Sequence, residues 1–326
     1  MGKHLLSIQE LTLEEIKELI ARAHYFQKIE ETSPLENDSW LFFSNKQYHK
    51  SFIANLFLEP STRTRISFEV AEKKLGLEVV NLQPSVSSMQ KGESLFDTLK
   101  TLESLGIEAV VIRLQEEDLL KPLLRKLSIK IINAGEGKKA HPTQALLDFY
   151  TIQQYFSEIK GLNVAIIGDI AHSRVARSNV QLLKRMGAKL LFSGPAKYMD
   201  FSLEGNYLPI DEAIKHADVV MMLRVQFERI QGESLYPIEE YRQEFGFTEE
   251  RLRNLQPHTI ILHPAPVNRG IEMDDLVVEH PQSKIFEQIR HGVWIRMAVI
   301  ERALGGEAKW ESSFDMGKFG VKISGL

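Results

Sequence analysis

Short apolar segments alternate with longer amphipathic segments along most of this chain, and that alternation limits the folds open to it. Apolar runs of this length predict buried strands, and the amphipathic stretches between them predict helices. The predicted strands lie at residues 52–58, 78–82, 108–113, 129–133, 163–168, 188–193, 217–222 and 259–262. Because strands that alternate with helices form parallel sheets covered on both faces, we expect an α/β protein with two doubly wound parallel-sheet domains joined by bridging helices.

The length of 326 residues exceeds what one compact core normally holds and fits two domains. A helix predicted at 141–156 bridges the two series of strands, and a helix predicted at 291–304 closes the chain. We therefore predict one domain from residues 1–145 plus 291–326 and a second from residues 146–290. Five further helices are predicted at 11–28, 62–75, 93–105, 117–126 and 174–186.

Composition excludes several classes of protein. The chain has 40 basic and 44 acidic residues, a net charge of −4, and no cysteine. The lack of a basic bias argues against nucleic-acid binding, and the lack of cysteine excludes disulfides and cysteine-ligated zinc. The N-terminal segment carries charges throughout, and no run approaches the roughly 20 apolar residues of a membrane helix. We expect a cytoplasmic protein with neither nucleic-acid nor membrane partners.

The segment Leu58–Arg65 directly follows the first predicted strand and opens a predicted helix. Its polar residues are Ser61, Thr62, Arg63, Thr64 and Arg65. The start of a helix presents unpaired N–H groups and the positive end of the helix dipole, and arginine adds donors that match phosphate oxygens. In the purely structural alternative, Ser61 caps the helix and the two arginines are exposed to solvent. Five consecutive polar donors after a buried strand favour a phosphate site.

Two more strand ends carry groups suited to a carbonyl oxygen. His141 and Gln144 lie three residues apart on one face of the predicted helix 141–156, and both donate hydrogen bonds. Arg113 closes the apolar run 108–112. Donors of this kind stabilise the negative charge that grows on oxygen during acyl transfer. Each residue taken singly has a structural alternative. His141 could cap the helix, Gln144 could be exposed, and Arg113 could belong to a structural ion pair.

The second half offers two arginines at equivalent places. Arg174 begins the helix after the strand 163–168, and Arg224 with Gln226 follows the apolar run 219–222. Two arginines suit a small dicarboxylate, because each guanidinium can bind one carboxylate through two hydrogen bonds. Surface ion pairing is the alternative reading, and for Arg174 alone it is the simpler one.

Two loops complete the candidate residues. The segment His263–Gly270 holds Ala265 and Pro266, and its prolines fix the backbone while leaving carbonyl groups that accept hydrogen bonds from an amide. The polar segment Ser85–Glu93 is typical of a surface loop that carries function, although Lys91 by itself is an ordinary exposed lysine.

Two other kinds of site lack their sequence signatures. The segment that begins at Asn163 resembles the start of a dinucleotide fold but has no G-x-G-x-x-G spacing. The ten histidines are scattered without a metal-binding spacing. We predict neither a cofactor nor a metal.

In their order along residues 4–304, these segments together resemble the aspartate/ornithine carbamoyltransferase family. The resemblance rests on Ser-Thr-Arg-Thr-Arg after a strand followed by His-Pro-x-Gln. The stretches FLEPSTRTRISFEVAEKKLG, HSRVARSN and HPAPVNRG are most similar to the bacterial aspartate-specific members. Ornithine-specific members tend to carry His-Cys-Leu-Pro where this chain has His263–Pro266. The resemblance implies transfer of a carbamoyl group from carbamoyl phosphate to L-aspartate, an early step of de novo pyrimidine biosynthesis.

The resemblance also implies a role for each candidate residue. Carbamoyl phosphate would lie in the domain of residues 1–145 plus 291–326, and aspartate in that of residues 146–290. The phosphate would contact Ser61, Thr62, Arg63 and Thr64. The carbamoyl oxygen would contact Thr64, Arg113 and His141, and the carbamoyl NH2 would contact Gln144 and the carbonyls of Ala265 and Pro266. The aspartate carboxylates would contact Arg174, Arg224 and Gln226.

A homotrimer with shared active sites is also implied. Ser87 and Lys91 would reach the site from the neighbouring subunit, with Lys91 touching both substrates, and Ser88 is an alternative to Ser87. A regulatory chain or a pathway-enzyme partner such as a dihydroorotase stays open. So do the roles of residues 29–50 and of the C-terminal tail.

Three rival functions differ in what they require. A carbamoyltransferase for ornithine would place a carboxylate or a polar group near Arg224. An inactive binding subunit would bind ligands without turnover, against which Arg63, Arg113, His141 and Gln144 argue. A nicotinamide dehydrogenase shares the alternation of strands and helices but would need the missing glycine motif.

Overall fold

A computed structural model describes residues 3–32, 51–83, 91–225 and 236–305 of the chain. These residues divide into two compact units. One unit comprises the described residues up to Leu146 together with those from Arg290 onward, and the other is Leu147–Ile289. Two parallel sheets with flanking helices, one sheet in each unit, confirm the predicted α/β class.

The first unit contains a sheet in the strand order β2-β1-β3-β4, with every neighbouring pair parallel. Its strands are β1 Phe52–Phe57, β2 Glu78–Asn81, β3 Ile107–Leu114 and β4 Lys130–Glu136. Its helices are α1 Leu13–Thr32, α2 Thr62–Lys74, α3 Leu95–Ser104 and α4 Leu120–Leu123. Ala109–Ile112 of β3 are buried without alternation, as expected for a central parallel strand covered on both faces.

The second unit contains a sheet in the order β7-β6-β5-β8-β9, again parallel throughout. Its strands are β5 Asn163–Ile167, β6 Lys189–Ser193, β7 Asn206–Tyr207, β8 Val219–Met222 and β9 Ile260–Leu262. The helices are α6 Arg174–Arg185, α7 Ile210–His216, α8 Ile238–Phe245, α9 Glu249–Leu252 and α10 Asp275–Val278. A core of aliphatic side chains from the sheet and from α7 and α10 supports the strand ends.

Two helices carry the chain between the units. The helix α5 Pro142–Tyr155 leaves the first unit after Leu146, and α11 Ile285–Leu304 returns to it at Arg290. Proline is favoured at the start of α5 because the first helical N–H needs no partner within the helix. These helices confirm the predicted bridging connection.

Two predicted helices have the wrong bounds. The helix predicted at 117–126 is only the four residues of α4, because Pro122 lacks an N–H to continue the hydrogen-bond series. The closing helix begins at Ile285 and not at 291. Its first turns were missed because Phe286 and Ile289 are exposed, which hides the amphipathic pattern of that stretch.

Among the residues that the structure describes, no helix combines the length and the apolar character needed to cross a bilayer. Within the same ranges, no group of three or more His, Cys, Asp or Glu side chains is arranged to hold a metal ion.

Candidate active site

Two groups of predicted site residues in the first unit lie where the order of its sheet reverses. From β1 the chain goes to β2 on one side, and it later returns to β3 on the other side. In doubly wound sheets, ligands bind outside the carboxyl ends of the strands at such a reversal. Ser61–Arg65 follow β1, and Arg113 is the penultimate residue of its neighbour β3.

The start of α2 has no side-chain cap from its N-cap residue. Ser61 occupies the N-cap position, but its side chain makes no capping hydrogen bond to the helix. Its hydroxyl therefore does not occupy the N–H groups of the first turn, unlike that of Ser94, which accepts from Asp97 N at 3.1 Å at the start of α3. Thr62 and Arg63 are exposed, and Thr64 is half-buried. The interpretation of Ser61 as a helix cap alone is not supported.

Arg113 is held in place by groups from two neighbouring segments. Its Nε donates to Glu59 Oε1 at 2.6 Å, and its Nη1 donates to the Ala134 carbonyl at 3.3 Å. Nη1 also makes a long contact of 3.5 Å with Thr64 Oγ1. The structure thus brings together Thr64 and Arg113, two residues predicted to act on one oxygen. Sequence reasoning assigned no role to Glu59, although it is the acidic residue within Leu58–Arg65.

His141 and Gln144 are both buried, so the alternative in which Gln144 is exposed is wrong. They follow β4, the neighbour of β3, and the Gln144 N–H donates to the His141 carbonyl at 3.1 Å. The buried Asn133 supports the preceding turn, since its Oδ1 accepts from Gly135 N at 2.7 Å. Nearby in sequence, burial raises the pKa of Glu136 at the end of β4.

Lys91 lies in the first unit, is exposed and begins a short turn that leads toward α3. Two other predicted residues, Ser87 and Gln226, lie outside the described residues.

The second unit repeats the same geometric rule. Its sheet reverses between β5 and β8, and Arg174 and Arg224 follow these two strands. Arg174 is buried as the first residue of α6, and the Ser173 side chain before it accepts from Ala176 N at 3.1 Å. Arg224 is half-buried. The interpretation of Arg174 as a surface residue is therefore wrong.

The loop after β9 contains Ala265 and Pro266, both half-buried and joined by a cis peptide bond. Ala265 has a φ of +52°, a conformation that costs energy for any residue with a β-carbon. The Ala265 N–H donates to His263 Nδ1 at 2.8 Å, which holds this backbone in place. The carbonyls of Ala265 and Pro266 thus belong to a tightly folded strand end.

Sequence models of known protein families match both halves of the chain. The sequence model described as aspartate/ornithine carbamoyltransferase, carbamoyl-P binding domain, matches residues 3–154. The model described as aspartate/ornithine carbamoyltransferase, Asp/Orn binding domain, matches residues 160–302. The chain belongs to the aspartate/ornithine carbamoyltransferase family. The resemblance noted in the sequence is thereby confirmed.

Individual relatives and solved structures similar to this carbamoyltransferase are named as aspartate carbamoyltransferases or aspartate transcarbamoylases. The aspartate carbamoyltransferase catalytic subunit of Enterococcus faecalis is 48% identical over 310 residues, which cover 94% of this chain and 97% of the relative. That of Listeria monocytogenes is 47% identical over 304 residues, covering 93% and 96%. The Trypanosoma cruzi aspartate transcarbamoylase in complex with N-(phosphonacetyl)-L-aspartic acid has a TM-score of 0.79 at 29% identity, covering 93% and 95%. The same enzyme in complex with carbamoyl phosphate and aspartate has a TM-score of 0.79 at 28% identity, covering 93% and 96%.

Proposed function

We propose that this chain transfers the carbamoyl group of carbamoyl phosphate to the amino group of L-aspartate, giving N-carbamoyl-L-aspartate and phosphate. The observation that carries the proposal is the pair of sheet reversals: one is lined by a helix start and Arg113, the other by Arg174 and Arg224. The first set suits a phosphate and a carbonyl oxygen, and the second suits two carboxylates. The names of the relatives favour aspartate as the acceptor.

In the first unit, carbamoyl phosphate would bind through its phosphate to Ser61, Thr62, Arg63 and Thr64 at the start of α2. Thr64, Arg113 and His141 would donate hydrogen bonds to the carbamoyl oxygen. The long contact between Arg113 and Thr64 supports this role, because it puts both donors within reach of one acceptor. Gln144 would hold the carbamoyl NH2 together with the carbonyls of Ala265 and Pro266.

In the second unit, aspartate would bind through its two carboxylates to Arg174 and Arg224, with Gln226 as a further donor. The place of Arg174 supports this role, because it begins the helix that follows β5 at the sheet reversal, where ligands bind in doubly wound folds. Lys91 would touch both substrates.

The chemical step needs no covalent intermediate with the protein. The neutral amine of aspartate attacks the carbamoyl carbon, and an oxyanion forms that Thr64, Arg113 and His141 stabilise. The carbon–oxygen bond to phosphate then breaks, Arg63 and Lys91 stabilise the departing charge, and the phosphate accepts the proton of the amine. Binding both substrates in the reacting geometry can contribute roughly 7–11 kcal/mol to lowering the barrier.

A homotrimer with shared sites and a cytoplasmic location complete the proposal. Exposed apolar side chains support an assembly: Ile66 and Val70 lie one turn apart on α2, and Val80 lies on the edge strand β2, against which α2 packs. Exposed apolar side chains such as Ile66 and Val70, neighbours on one helix face, are suited to contact with another protein surface. Ser87 and Lys91 would enter the site of the neighbouring subunit.

The experiment that tests the reaction is phosphate release from carbamoyl phosphate, measured in parallel with L-aspartate and with L-ornithine. Release that depends on aspartate supports the proposal. Release with ornithine instead would keep the phosphate site and overturn the roles of Arg174 and Arg224. Release with neither acceptor, although carbamoyl phosphate binds, would indicate a binding subunit without turnover.

Arg224→Ala tests how the substrates are divided between the units. We expect aspartate binding to weaken at least tenfold, because hydrogen bonds to charged groups contribute about 1.5–3 kcal/mol. Carbamoyl phosphate binding should stay within about twofold, since its phosphate contacts lie in the first unit. Calorimetric titration measures both affinities. An equal loss of both would contradict this division.

A further inference from the structure

Glu272 is a fully buried carboxylate in the second unit that contacts two parts of the loop after β9. Its Oε1 accepts a hydrogen bond of 2.6 Å from the Asn268 N–H, and the same oxygen lies 3.3 Å from His263 Nε2. A buried carboxylate is costly unless its oxygens are engaged by donors. Both ends of the segment that holds Ala265 and Pro266 are thus tied to one side chain.

The first connection runs through His263, which is itself fully buried. Its Nδ1 accepts the Ala265 N–H at 2.8 Å, so this nitrogen carries no proton. The ring proton then belongs on Nε2, which faces the Glu272 carboxylate. The Glu272 carboxylate, 3.3 Å from Nε2, favours the same form of the His263 ring, in which the unprotonated Nδ1 supports the Ala265 backbone.

The second connection runs through Asn268 to a different strand end. The Asn268 side-chain Nδ2 donates to the Val225 carbonyl at 3.2 Å. Val225 directly follows Arg224 and is fully buried. A shift of Asn268 would therefore move the backbone beside Arg224.

We infer that Glu272 is a positioning residue. It fixes the position of the Ala265–Pro266 carbonyls relative to the backbone beside Arg224. This inference rests on the proposed function, in which the first group holds the carbamoyl NH2 and the second holds aspartate. Glu272 contacts neither substrate. It acts through His263 on one group and through Asn268 on the other.

The alternative is that Glu272 only stabilises the folded unit. A purely structural role would change the free energy of unfolding and leave the kinetics of the folded enzyme unchanged. A positioning role changes the kinetic constants, because misplacement of about 1 Å can lower a rate about 100-fold. Which constant changes depends on whether the substitution removes the contact with His263 or the contact with Val225.

The test compares Glu272→Ala, Glu272→Gln and Asn268→Ala with the unmodified full-length chain. Glu279→Gln is the matched control, since Glu279 is an exposed carboxylate nearby in sequence that pairs with Arg269 on the surface. For each variant, kcat and KM for aspartate are measured at saturating carbamoyl phosphate. Binding of inorganic phosphate and the thermal midpoint report whether the first unit and the whole chain are intact.

Glu272→Ala should lower kcat/KM for aspartate about 100-fold. Glu272→Gln should recover most of that loss, because its amide oxygen still accepts the Asn268 N–H. Asn268→Ala cuts only the connection to Val225, so it should raise KM for aspartate up to about tenfold with kcat nearly retained. Phosphate binding and the Glu279→Gln control should match the unmodified chain.

The inference is overturned if Glu272→Gln and Asn268→Ala both keep the unmodified kinetic constants, whatever their thermal midpoints. This reading holds even if Glu272→Ala fails to fold. A failure of the proposed function is recognised separately, because the unmodified chain would then show no turnover with aspartate.

Discussion

Arg113, at the carboxyl end of β3, forms an ion pair with Glu59. The Arg113 Nε donates to Glu59 Oε1 at 2.6 Å, and both side chains are largely buried. Glu59→Gln removes the charge from this bond, and hydrogen bonds to charged groups contribute about 1.5–3 kcal/mol. We expect kcat/KM for carbamoyl transfer to fall about 10- to 100-fold, measured by steady-state phosphate release.

Glu116→Gln is the control for this substitution, because Glu116 is an exposed carboxylate just beyond β3. It should retain full activity. If Glu59→Gln also retains full activity while remaining folded, Arg113 does not need Glu59 for its orientation.

Glu72 on α2 is a buried acid whose charge opposes folding. Its Oε2 accepts from Asn55 Nδ2 at 2.7 Å, and burial raises its pKa to about 7. Between its unfolded pKa of 4.5 and about 7, the folded chain holds a proton that the unfolded chain has lost. The stabilising effect of that proton is therefore present below pH 4.5 and lost as the pH rises through about 7.

Glu72→Gln should stabilise the chain at pH 8 by about 3 kcal/mol relative to the unmodified protein, since each pKa unit corresponds to about 1.4 kcal/mol. Near pH 4.5 the difference should be small. Denaturant unfolding at both pH values measures it. Glu78→Gln, at an exposed position of β2, should show no such pH dependence. A gain that is equal at both pH values would contradict the assignment to ionisation.

At the scale of elements, the helices α2 and α3 both have a serine at the N-cap position, but the two serines differ in their hydrogen bonds. Ser94 caps α3 through its hydroxyl, whereas the Ser61 hydroxyl makes no capping bond to α2. Ser94→Ala should therefore destabilise the chain by about 1 kcal/mol and leave carbamoyl phosphate affinity unchanged. Ser61→Ala should change stability by less than about 0.5 kcal/mol and weaken carbamoyl phosphate binding several-fold.

Thermal or denaturant unfolding together with calorimetric titration separates the two effects. If Ser61→Ala proved as destabilising as Ser94→Ala, and bound carbamoyl phosphate normally, Ser61 would be a helix cap and not a ligand.

At the scale of the whole molecule, the proposed sharing of sites between subunits predicts how mixed assemblies behave. Lys91→Ala and Arg113→Ala should each reduce activity at least about 100-fold, because each removes a charged group from the transition state. When the two variants are dissociated and reassociated together, some sites combine an intact Arg113 with an intact Lys91 from the neighbour. We therefore expect mixing to restore a substantial part of the activity.

The control is each variant dissociated and reassociated alone, which should stay inactive. A mixture no more active than its separate components would indicate that Lys91 acts within its own subunit, or that no shared site exists.

The alternation of apolar and amphipathic segments was enough to predict the class of the fold and most strands to within three residues. The alternation did not predict the bounds of two helices, because some of their apolar residues do not face the core. The start of α11 was missed because Phe286 and Ile289 face away from the core. The short helix at Leu120–Leu123 was overextended because the leucines around Pro122 imitate a longer helix.

The sequence by itself determined which strand ends carry the candidate site residues, because polar residues directly after buried strands have few structural reasons to be there. Only the tertiary structure decided which strand ends are neighbours, since sheet order depends on contacts distant along the chain. It put β1 beside β3 and β5 beside β8, and so joined Thr64 to Arg113. It also revealed Glu59 and Glu272, whose effects arise from buried hydrogen bonds that no local pattern encodes.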